Sequence, residues 1–269
     1  MNGRISLPVI CLGIFGFGIL YVPIAVMIVF SFNAGKLVSV WSGFSAKWYA
    51  SLLTNEQLLN AFALSLFIAF WAATIATFFG MLIAIAFVRF GNFRGRLALS
   101  SLSSAPLVMP EVVTGLSLLL LFIGMESMLG WPAGRGLDTI IIAHATFGMC
   151  FAAVVIQARL RDFDQAIEEA AYDLGARQPF VFFSVTLPVI LPAVIAAWLL
   201  AFTLSFDDLV IASFVSGPGS STLPILVFSK VRLGVTPEIN ALASVMIGIV
   251  AISVITAAYV MRRRFGKTG

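Results

Sequence analysis

Six long apolar runs constrain this chain more than any other feature of its sequence. A helix needs about 20 apolar residues to cross roughly 30 Å of hydrocarbon, and every run meets that length. Hydrophobic residues make up 61% of the chain and charged residues 10%, whereas a soluble domain carries about 25% charged residues. We therefore predict an all-α, polytopic membrane protein with one transmembrane domain, 1–269. The predicted spans are 7–31, 59–88, 97–123, 139–158, 183–206 and 239–261.

The Lys and Arg residues predict the orientation of these spans. When the N-terminus is placed inside, most of the 16 basic residues fall on the inner side. The inner set is Arg4, Arg89, Arg94, Arg96, Arg159, Arg161, Arg177, Arg262, Arg263, Arg264 and Lys267, and the outer set is Lys36, Lys47, Arg135, Lys230 and Arg232. The positive-inside rule then places both termini and the loop 159–182 in the cytoplasm. The first run is expected to be an uncleaved span, because it lacks a clear cleavage site.

The loop 159–182 is too polar to lie in lipid and has the pattern of a helix-turn-helix. Asp164 can cap a first helix, and Gly175 suits its end, where a left-handed residue is often needed. A second short helix can begin at Pro179, since proline is tolerated in a first turn. The first helix carries a stripe of Ile167, Ala170, Ala171 and Leu174, with Glu168 and Glu169 in its first turns. We expect an acidic, small-residue face toward water, on which a soluble partner can dock.

The spacing of residues in this loop resembles the EAA loop of ABC importer permeases. The matching positions are Glu169, Ala170, Ala171, Gly175, Val185, Leu187 and Pro188, with Val185 where the family pattern has Ile. The resemblance implies that the loop, including Glu168, is the coupling element that sits in a groove of a cytoplasmic ATPase. The alternative is an amphipathic interfacial helix without a partner, which does not require this spacing.

Acidic residues within or beside the spans are candidates for a substrate pathway. Glu111 lies in the middle of the predicted third span, where Pro106 and Pro110 are expected to break or kink the helix. Asp207 and Asp208 close the fifth span, about 28 Å of helix beyond Pro188. These acids could form a track for a cation, because a desolvated cation needs fixed negative charge. The alternatives are a protonated or paired Glu111 that holds helices together and two solvated acids at a helix end.

Aromatic residues in the first external loop give a weaker indication of the same kind. Trp48 and Tyr49 precede the second span, and aromatic faces attract ammonium groups. An interfacial aromatic belt is the more common role for such residues.

Further segments resemble the permeases of putrescine and spermidine ABC importers, above all the second permease of putrescine systems. They are Trp48–Tyr49, Pro106–Ser117, Phe202–Pro218 and Pro237–Ala243. The resemblance implies an inner-membrane permease that works with a second homologous permease, two copies of an ATPase and a periplasmic polyamine-binding protein. It also implies pathway acids at Glu111, Asp207 and Asp208, with Trp48 near the outer mouth. Some relatives have Asp at the position of Glu111, so the resemblance does not define the preferred length of the polyamine there.

The sequence gives little support for nucleotide binding, catalysis, metal binding or nucleic-acid binding by this chain. The tail Gly266–Gly269 looks like the end of a phosphate-binding loop, but Met261 stands where that motif needs glycine. ATP and Mg are therefore expected in a separate ATPase chain, with no cofactor in this one. A single His144 within a span provides neither a catalytic set nor a metal site, and topology explains the net charge of +4 without nucleic acid.

Two alternatives to a polyamine importer remain open at this point. The first is an ABC importer for another cation such as spermidine, or for iron or an anion; an anion is disfavoured because the middle of every span lacks basic residues. The second is an ion-coupled carrier or channel that uses the intramembrane acids. Such carriers often contain inverted repeats, which we do not find here, and the carrier hypothesis leaves the EAA-like loop unexplained.

Overall fold

The computed structural model describes residues 7–38 and 40–265. Its helices are α1 (Leu7–Phe30), α2 (Lys47–Thr54), α3 (Glu56–Arg89), α4 (Arg96–Val108), α5 (Glu111–Leu129), α6 (Leu137–Arg161), α7 (Ala166–Asp173), α8 (Gln178–Val181), α9 (Leu187–Phe206), α10 (Val210–Val215), α11 (Leu223–Leu233) and α12 (Pro237–Phe265). A π-helical turn, Phe182–Thr186, joins α8 to α9. The predicted all-α class is confirmed. Arg4, Lys267 and the tail Gly266–Gly269 lie outside the described residues.

Five helical segments of the described chain are long and apolar enough to cross a membrane. They are Leu12–Phe30, Glu56–Arg89, Glu111–Leu129, Leu137–Arg161 and Gln178–Phe206. A shorter apolar segment, Pro237–Ile252, overlaps the predicted sixth span, so the number of six spans stays a prediction.

The predicted third span, 97–123, is divided in the structure. Helix α4 ends at Val108 and α5 begins at Glu111. Met109 is extended, with φ −76° and ψ 140°, because a residue before proline is disfavoured in the helical region. Pro110 then precedes the new helix as its N-cap, and it has no N–H that would need a partner. Glu111 is therefore the first residue of a helix. The sequence-based prediction, which placed it in the middle of a span, was wrong on this point.

The chain divides into two units, Met1–Leu59 with Val227–Gly269, and Asn60–Leu226. In the second unit, α3, α6 and α9 pack through small residues. A Cβ built on Gly80 would lie 2.8 Å from Ala152 Cβ and 2.9 Å from Ala153 N, and one on Gly148 would lie 3.2 Å from Ala76 Cβ. Such close backbone approach is the usual way in which membrane helices gain packing energy, since lipid provides little hydrophobic drive between helices.

We expect Gly80→Ala to destabilise the protein, because the new methyl group would push α3 and α6 apart. The expected loss is about 1–3 kcal/mol of the free energy of unfolding. The measurement is heat-induced unfolding of the purified full-length protein with its co-expressed partners. Gly124→Ala is the control, since no atom lies within 4 Å of its added Cβ. A Gly80→Ala protein as stable as the control would contradict close packing of these helices.

In the first unit, α12 packs against α1 and α2. Glu238, in the first turn of α12, accepts hydrogen bonds from Ser51 Oγ at 3.1 Å and Asn55 Nδ2 at 2.9 Å. Asn33 is fully buried and organises the loop that follows α1. Its amide donates to the carbonyls of Leu37 and Val40. These bonds give a polar loop a defined backbone path before the second apolar helix.

Candidate functional site

Helix α7 forms the centre of the predicted coupling loop. Its C-terminal end is stabilised as the sequence indicated, whereas its N-cap is Gln165, without a side-chain cap hydrogen bond, and Asp164 lies one residue before it. Asp164 Oδ1 accepts a hydrogen bond from the Ala166 N–H at 3.0 Å. Gly175 has φ +83°, and its N–H donates to Tyr172 O while the Ala176 N–H donates to Ala171 O. This pair of bonds is a Schellman motif, which satisfies carbonyls at a helix end and requires a left-handed residue.

The predicted second short helix is not a separate element. Pro179 lies in the first turn of α8, as expected, but α8 continues through the π-helical turn into α9, giving one helical segment, Gln178–Phe206. The Leu187 N–H donates to Phe182 O, five residues earlier. Pro188 follows and has no N–H to offer, so the regular pattern is locally disturbed. Leu187 and Pro188 therefore connect the coupling loop directly to the fifth apolar segment.

Glu168 joins α7 to two other elements. Its Oε1 lies 2.8 Å from Arg89 Nη2 at the end of α3, and it accepts a short hydrogen bond from Thr186 Oγ1 in the π-helical turn. The Glu168 side chain is 13% exposed and that of Arg89 is 20% exposed. The Arg89 guanidinium also lies 5.5 Å from the centre of the Phe163 ring. We refer to Arg89, Glu168 and Thr186 as the latch, because a single carboxylate ties α3, α7 and the start of α9 together.

The outer face of α7 differs from the sequence prediction in one respect. Glu169 and Ala170 are exposed, as expected, but Glu168 faces the protein and not water. The apolar members of the predicted stripe are also exposed, with Ile167 at 48% and Leu174 at 89%. In the second unit this face therefore combines the Glu169 carboxylate with apolar surface, a composition suited to a protein interface.

A cavity of about 420 Å³ lies beside the latch. Its walls come from α3, α6, α7 and α8 and from the π-helical turn, and they include Arg89, Glu168, Tyr172 and Gln178. The helix that carries Glu169 is thus held by a few specific contacts more than by dense packing.

We expect the latch to stabilise the protein measurably, because Glu168→Ala would leave the half-buried Arg89 without its carboxylate. A hydrogen bond to a charged group contributes about 1.5–3 kcal/mol, and partial exposure places this pair near the lower end. A double-mutant cycle with Arg89→Gln and Glu168→Gln, followed by heat-induced unfolding, measures the coupling. Glu169→Ala is the matched control and should change stability by less than about 0.5 kcal/mol. Additive effects at Arg89 and Glu168 would show that the pairing of these two side chains contributes nothing to stability.

The candidate pathway acids have unequal surroundings. Asp208 has a side chain only 8% exposed, and its Oδ1 lies 3.2 Å from His144 Nε2, although off the line of an aligned hydrogen bond. His144 Nδ1 is 2.7 Å from Ser205 Oγ. Asp208 also accepts hydrogen bonds from the N–H groups of Ile211 and Ala212 at the start of α10. Its carboxylate therefore accepts two backbone hydrogen bonds and lies beside a histidine ring inside the protein.

Asp207 and Glu111 are exposed in the second unit, in contrast to Asp208. Asp207 follows the last residue of α9, and its N–H donates to Thr203 O. Glu111 is in the first turn of α5, where the helix dipole favours a carboxylate. Neither carboxylate has an ion-pair partner among the residues that the structure describes, so both are free to meet a cation.

Trp48 and Tyr49 lie in the first turn of α2 in the first unit, where the sequence had indicated a loop, and their side chains bond to the segment that follows α1. Trp48 Nε1 donates to Asn33 O at 2.7 Å, and Tyr49 Oη lies 2.6 Å from Ser31 Oγ. The Lys47 ammonium lies 4.9 Å from the centre of the Trp48 ring. One aromatic surface that the sequence offered for a substrate cation is thus occupied by a cation of the chain itself.

The roles of three residues in the site were not identified from the sequence. Arg89 indicated only the orientation of the spans, and the sequence predicted no role for Thr186. For His144 the sequence indicated neither a catalytic set nor a metal site, and it did not predict the contact with Asp208, 64 positions later in the chain. Local sequence patterns do not predict such long-range contacts. The one available indication was that Glu168 and Glu169 are adjacent on a helix, so that one of them is expected to point inward.

Known proteins resemble this chain in sequence and in fold. Residues 76–268 match the family described as binding-protein-dependent transport system inner membrane component. The putrescine transport system permease protein PotI of Escherichia coli (strain K12) is 56% identical over 92% of this chain and 88% of its own length. The spermidine/putrescine transport system permease protein PotC of the same strain is 39% identical over 93% of this chain and 92% of its own length.

A solved structure supports the fold independently. It is a bacterial ABC transporter involved in the import of the acidic polysaccharide alginate, and it matches 96% of this chain and 93% of its own chain with a TM-score of 0.70. At 18% identity that likeness concerns the fold alone. With the family match and the two close relatives, the chain belongs to the binding-protein-dependent transport system inner membrane components and is a permease subunit of an ABC importer, a transport component rather than an enzyme.

Proposed function

We propose that this permease moves polyamines, with putrescine as its main substrate, in an ATP-driven importer of the inner membrane. The observation that carries the proposal is 56% identity, over 92% of the chain, to a permease named for putrescine transport. The exposed acids Asp207 and Glu111 agree with a cationic cargo, since fixed negative charge offsets part of the desolvation of an ammonium group.

The proposed importer contains three further kinds of subunit. A second homologous permease completes the pathway, two copies of an ABC ATPase bind ATP and Mg, and a periplasmic polyamine-binding protein delivers substrate. Both termini of this chain and the loop 159–182 face the cytoplasm, in accordance with the excess of Lys and Arg on that side. This orientation presents α7 to the ATPase.

In this proposal α7 docks on the ATPase and the latch carries its movement into the membrane. Glu169 and Ala170 lie on the exposed face and contact the ATPase groove, with Ala171 and Gly175 shaping the helix and its turn. Glu168 does not reach the partner; it ties α7 to Arg89 and Thr186. When ATP binding moves the ATPase subunits, the displacement of α7 is passed to α3 and, through Leu187 and Pro188, to α9.

The proposed pathway distinguishes acids that meet substrate from acids that hold the protein. Asp207 and Glu111 are exposed and contact the ammonium groups of the cargo. Asp208 supports α10 and pairs with His144, so its contribution is indirect. Trp48 and Tyr49 stabilise the segment that follows α1 through their hydrogen bonds. Substrate contacts there only the aromatic surface that Lys47 leaves free.

Spermidine is the second candidate cargo, because relatives at 39% identity are named for both spermidine and putrescine. The experiment is uptake of radiolabelled putrescine by cells that lack their own polyamine importers and express this chain with its three partner subunits. We expect saturable uptake, competed more strongly by unlabelled putrescine than by spermidine. Stronger competition by spermidine would assign the importer to the longer polyamine, and competition by neither would contradict a polyamine cargo.

A further inference from the structure

A second, smaller cavity lies between α4 and α6, away from the latch, with a volume of about 210 Å³. Arg96 and Ser100 of α4 line it, together with Gln157 and Arg161 of α6; Leu107 and Cys150 line it farther along the same two helices. None of the acids or aromatic residues discussed above as pathway candidates takes part in it. It has no role in the proposed transport mechanism.

The two helices run in opposite directions along this cavity. Arg96 Nη2 donates to Phe87 O near the end of α3, and Val88 of α3 packs in the same cluster as Leu160 near the end of α6. The beginning of α4 is thus close to the end of α6. Arg96 and Arg161 therefore share one end of the cavity, Ser100 and Gln157 follow, and Leu107 and Cys150 form the other end. The lining changes from cationic to polar to apolar over about 16 Å of helix.

The cationic end carries charge that the described protein does not neutralise. None of the lining residues is acidic. Arg96 donates hydrogen bonds to the carbonyls of Gly91 and Phe87. These neutral groups orient its guanidinium but do not neutralise its positive charge. Arg161 makes no ion pair or side-chain hydrogen bond within the described chain. Two adjacent guanidinium groups repel each other unless an anion lies between them.

The available donors fit a phosphate group. Guanidinium groups bind phosphate oxygens through paired N–H donors, and the Gln157 amide and Ser100 hydroxyl add neutral donors that have no partner in the described chain. The hydroxyls of Ser103 and Ser104 are already bonded to Ser100 O and contribute less. A cationic polyamine is excluded from this end by the same two arginines.

We propose that this cavity binds the phosphate of an anionic phospholipid, with Arg96 and Arg161 on the headgroup and the apolar end beside the start of an acyl chain. A phospholipid matches this order, because its anionic phosphate, its polar region and its apolar acyl chain would lie against the cationic, polar and apolar parts of the lining. The orientation proposed above places the arginines at the cytoplasmic leaflet, where anionic lipids attract basic residues. Inorganic phosphate shares the headgroup chemistry but has nothing to place against Leu107 and Cys150.

The test is native mass spectrometry of the purified importer complex, exchanged into micelles that contain phosphatidylglycerol or phosphatidylcholine. We expect wild-type complex to retain phosphatidylglycerol in preference, and Arg161→Gln to reduce retention by about fivefold, the effect of one basic residue at a membrane surface. Arg159→Gln is the matched control, because Arg159 is exposed on the same helix and does not line the cavity. The Arg161 side chain makes no ion pair or hydrogen bond within the described chain, so its replacement should leave folding intact.

The remaining outcomes separate the two sources of phosphate. Equal retention of both lipids by wild type, or an equal loss in both arginine variants, would overturn the proposal. A second arm adds a roughly 10-fold excess of inorganic phosphate over lipid, because a competitor in such excess displaces a ligand of similar affinity by mass action. Displacement of phosphatidylglycerol by phosphate alone would assign the cavity to the free anion and overturn the lipid assignment, whereas retention supports it.

Discussion

A Glu169→Lys permease is expected to assemble with its partners and to lose ATP-driven uptake. Glu169 is the one acid of the EAA-like pair that points away from the protein, because Glu168 is engaged by Arg89 and Thr186. Reversing its charge at a protein interface costs several kcal/mol when it faces a cation, which corresponds to a loss of about thirty-fold or more in uptake. Uptake and the amount of co-purified permease partner are measured on the same preparation.

Glu126→Lys is the control for this change. Glu126 is also exposed, makes no side-chain bond in the described chain and undergoes the same change of charge. It lies near the end of α5, whereas Glu169 is on α7. We expect Glu126→Lys to retain uptake within a factor of about two. Normal uptake by an assembled Glu169→Lys complex would show that this acid does not take part in docking.

The second large effect is expected at Asp208, and it should be one of stability. Asp208→Ala removes the acceptor of two N–H groups at the start of α10 and leaves His144 buried without its carboxylate. Loss of a cap costs about 0.5–2 kcal/mol and an unsatisfied buried group about 1–3 kcal/mol, so we expect a loss of about 2–4 kcal/mol in the free energy of unfolding. Heat-induced unfolding of the purified complex measures it.

Asp207→Asn is the matched variant at the adjacent position, and it should show the opposite pattern. Its side chain is exposed and keeps its size, so stability should change by less than about 0.5 kcal/mol. Removal of one negative charge beside a cationic cargo should lower uptake by about tenfold. Equal stability losses at both positions, or normal uptake by Asp207→Asn, would contradict the assignment of Asp208 to structure and Asp207 to substrate.

Local chemistry explains which parts of the structure were predictable. Asp164 and Gly175 predicted the ends of α7 to within one residue, because capping and left-handed geometry depend on neighbours within a few residues. The hydrophobic runs predicted the apolar helices for a similar reason, since the length needed to cross a bilayer is a property of each segment. Pro110 predicted the break before α5, although the span around it was placed too early.

The remaining features depend on residues that are distant in the chain. Glu168 and Glu169 look equivalent in sequence, and only Arg89, 79 positions earlier, decides which one is internal. Asp207 and Asp208 are likewise adjacent, and His144 distinguishes them. Pro179 predicted a helix start but not that the helix would continue into α9, because continuity depends on how the π-helical turn accommodates Pro188.

The most direct test of the central claim is putrescine uptake into proteoliposomes that contain this permease, its homologous partner and the ATPase, with binding protein outside and ATP inside. We predict accumulation that requires ATP and the binding protein and that disappears with Glu169→Lys. Accumulation driven by an ion gradient without ATP, or none with every subunit present, would contradict the account of this chain as a polyamine permease coupled through α7.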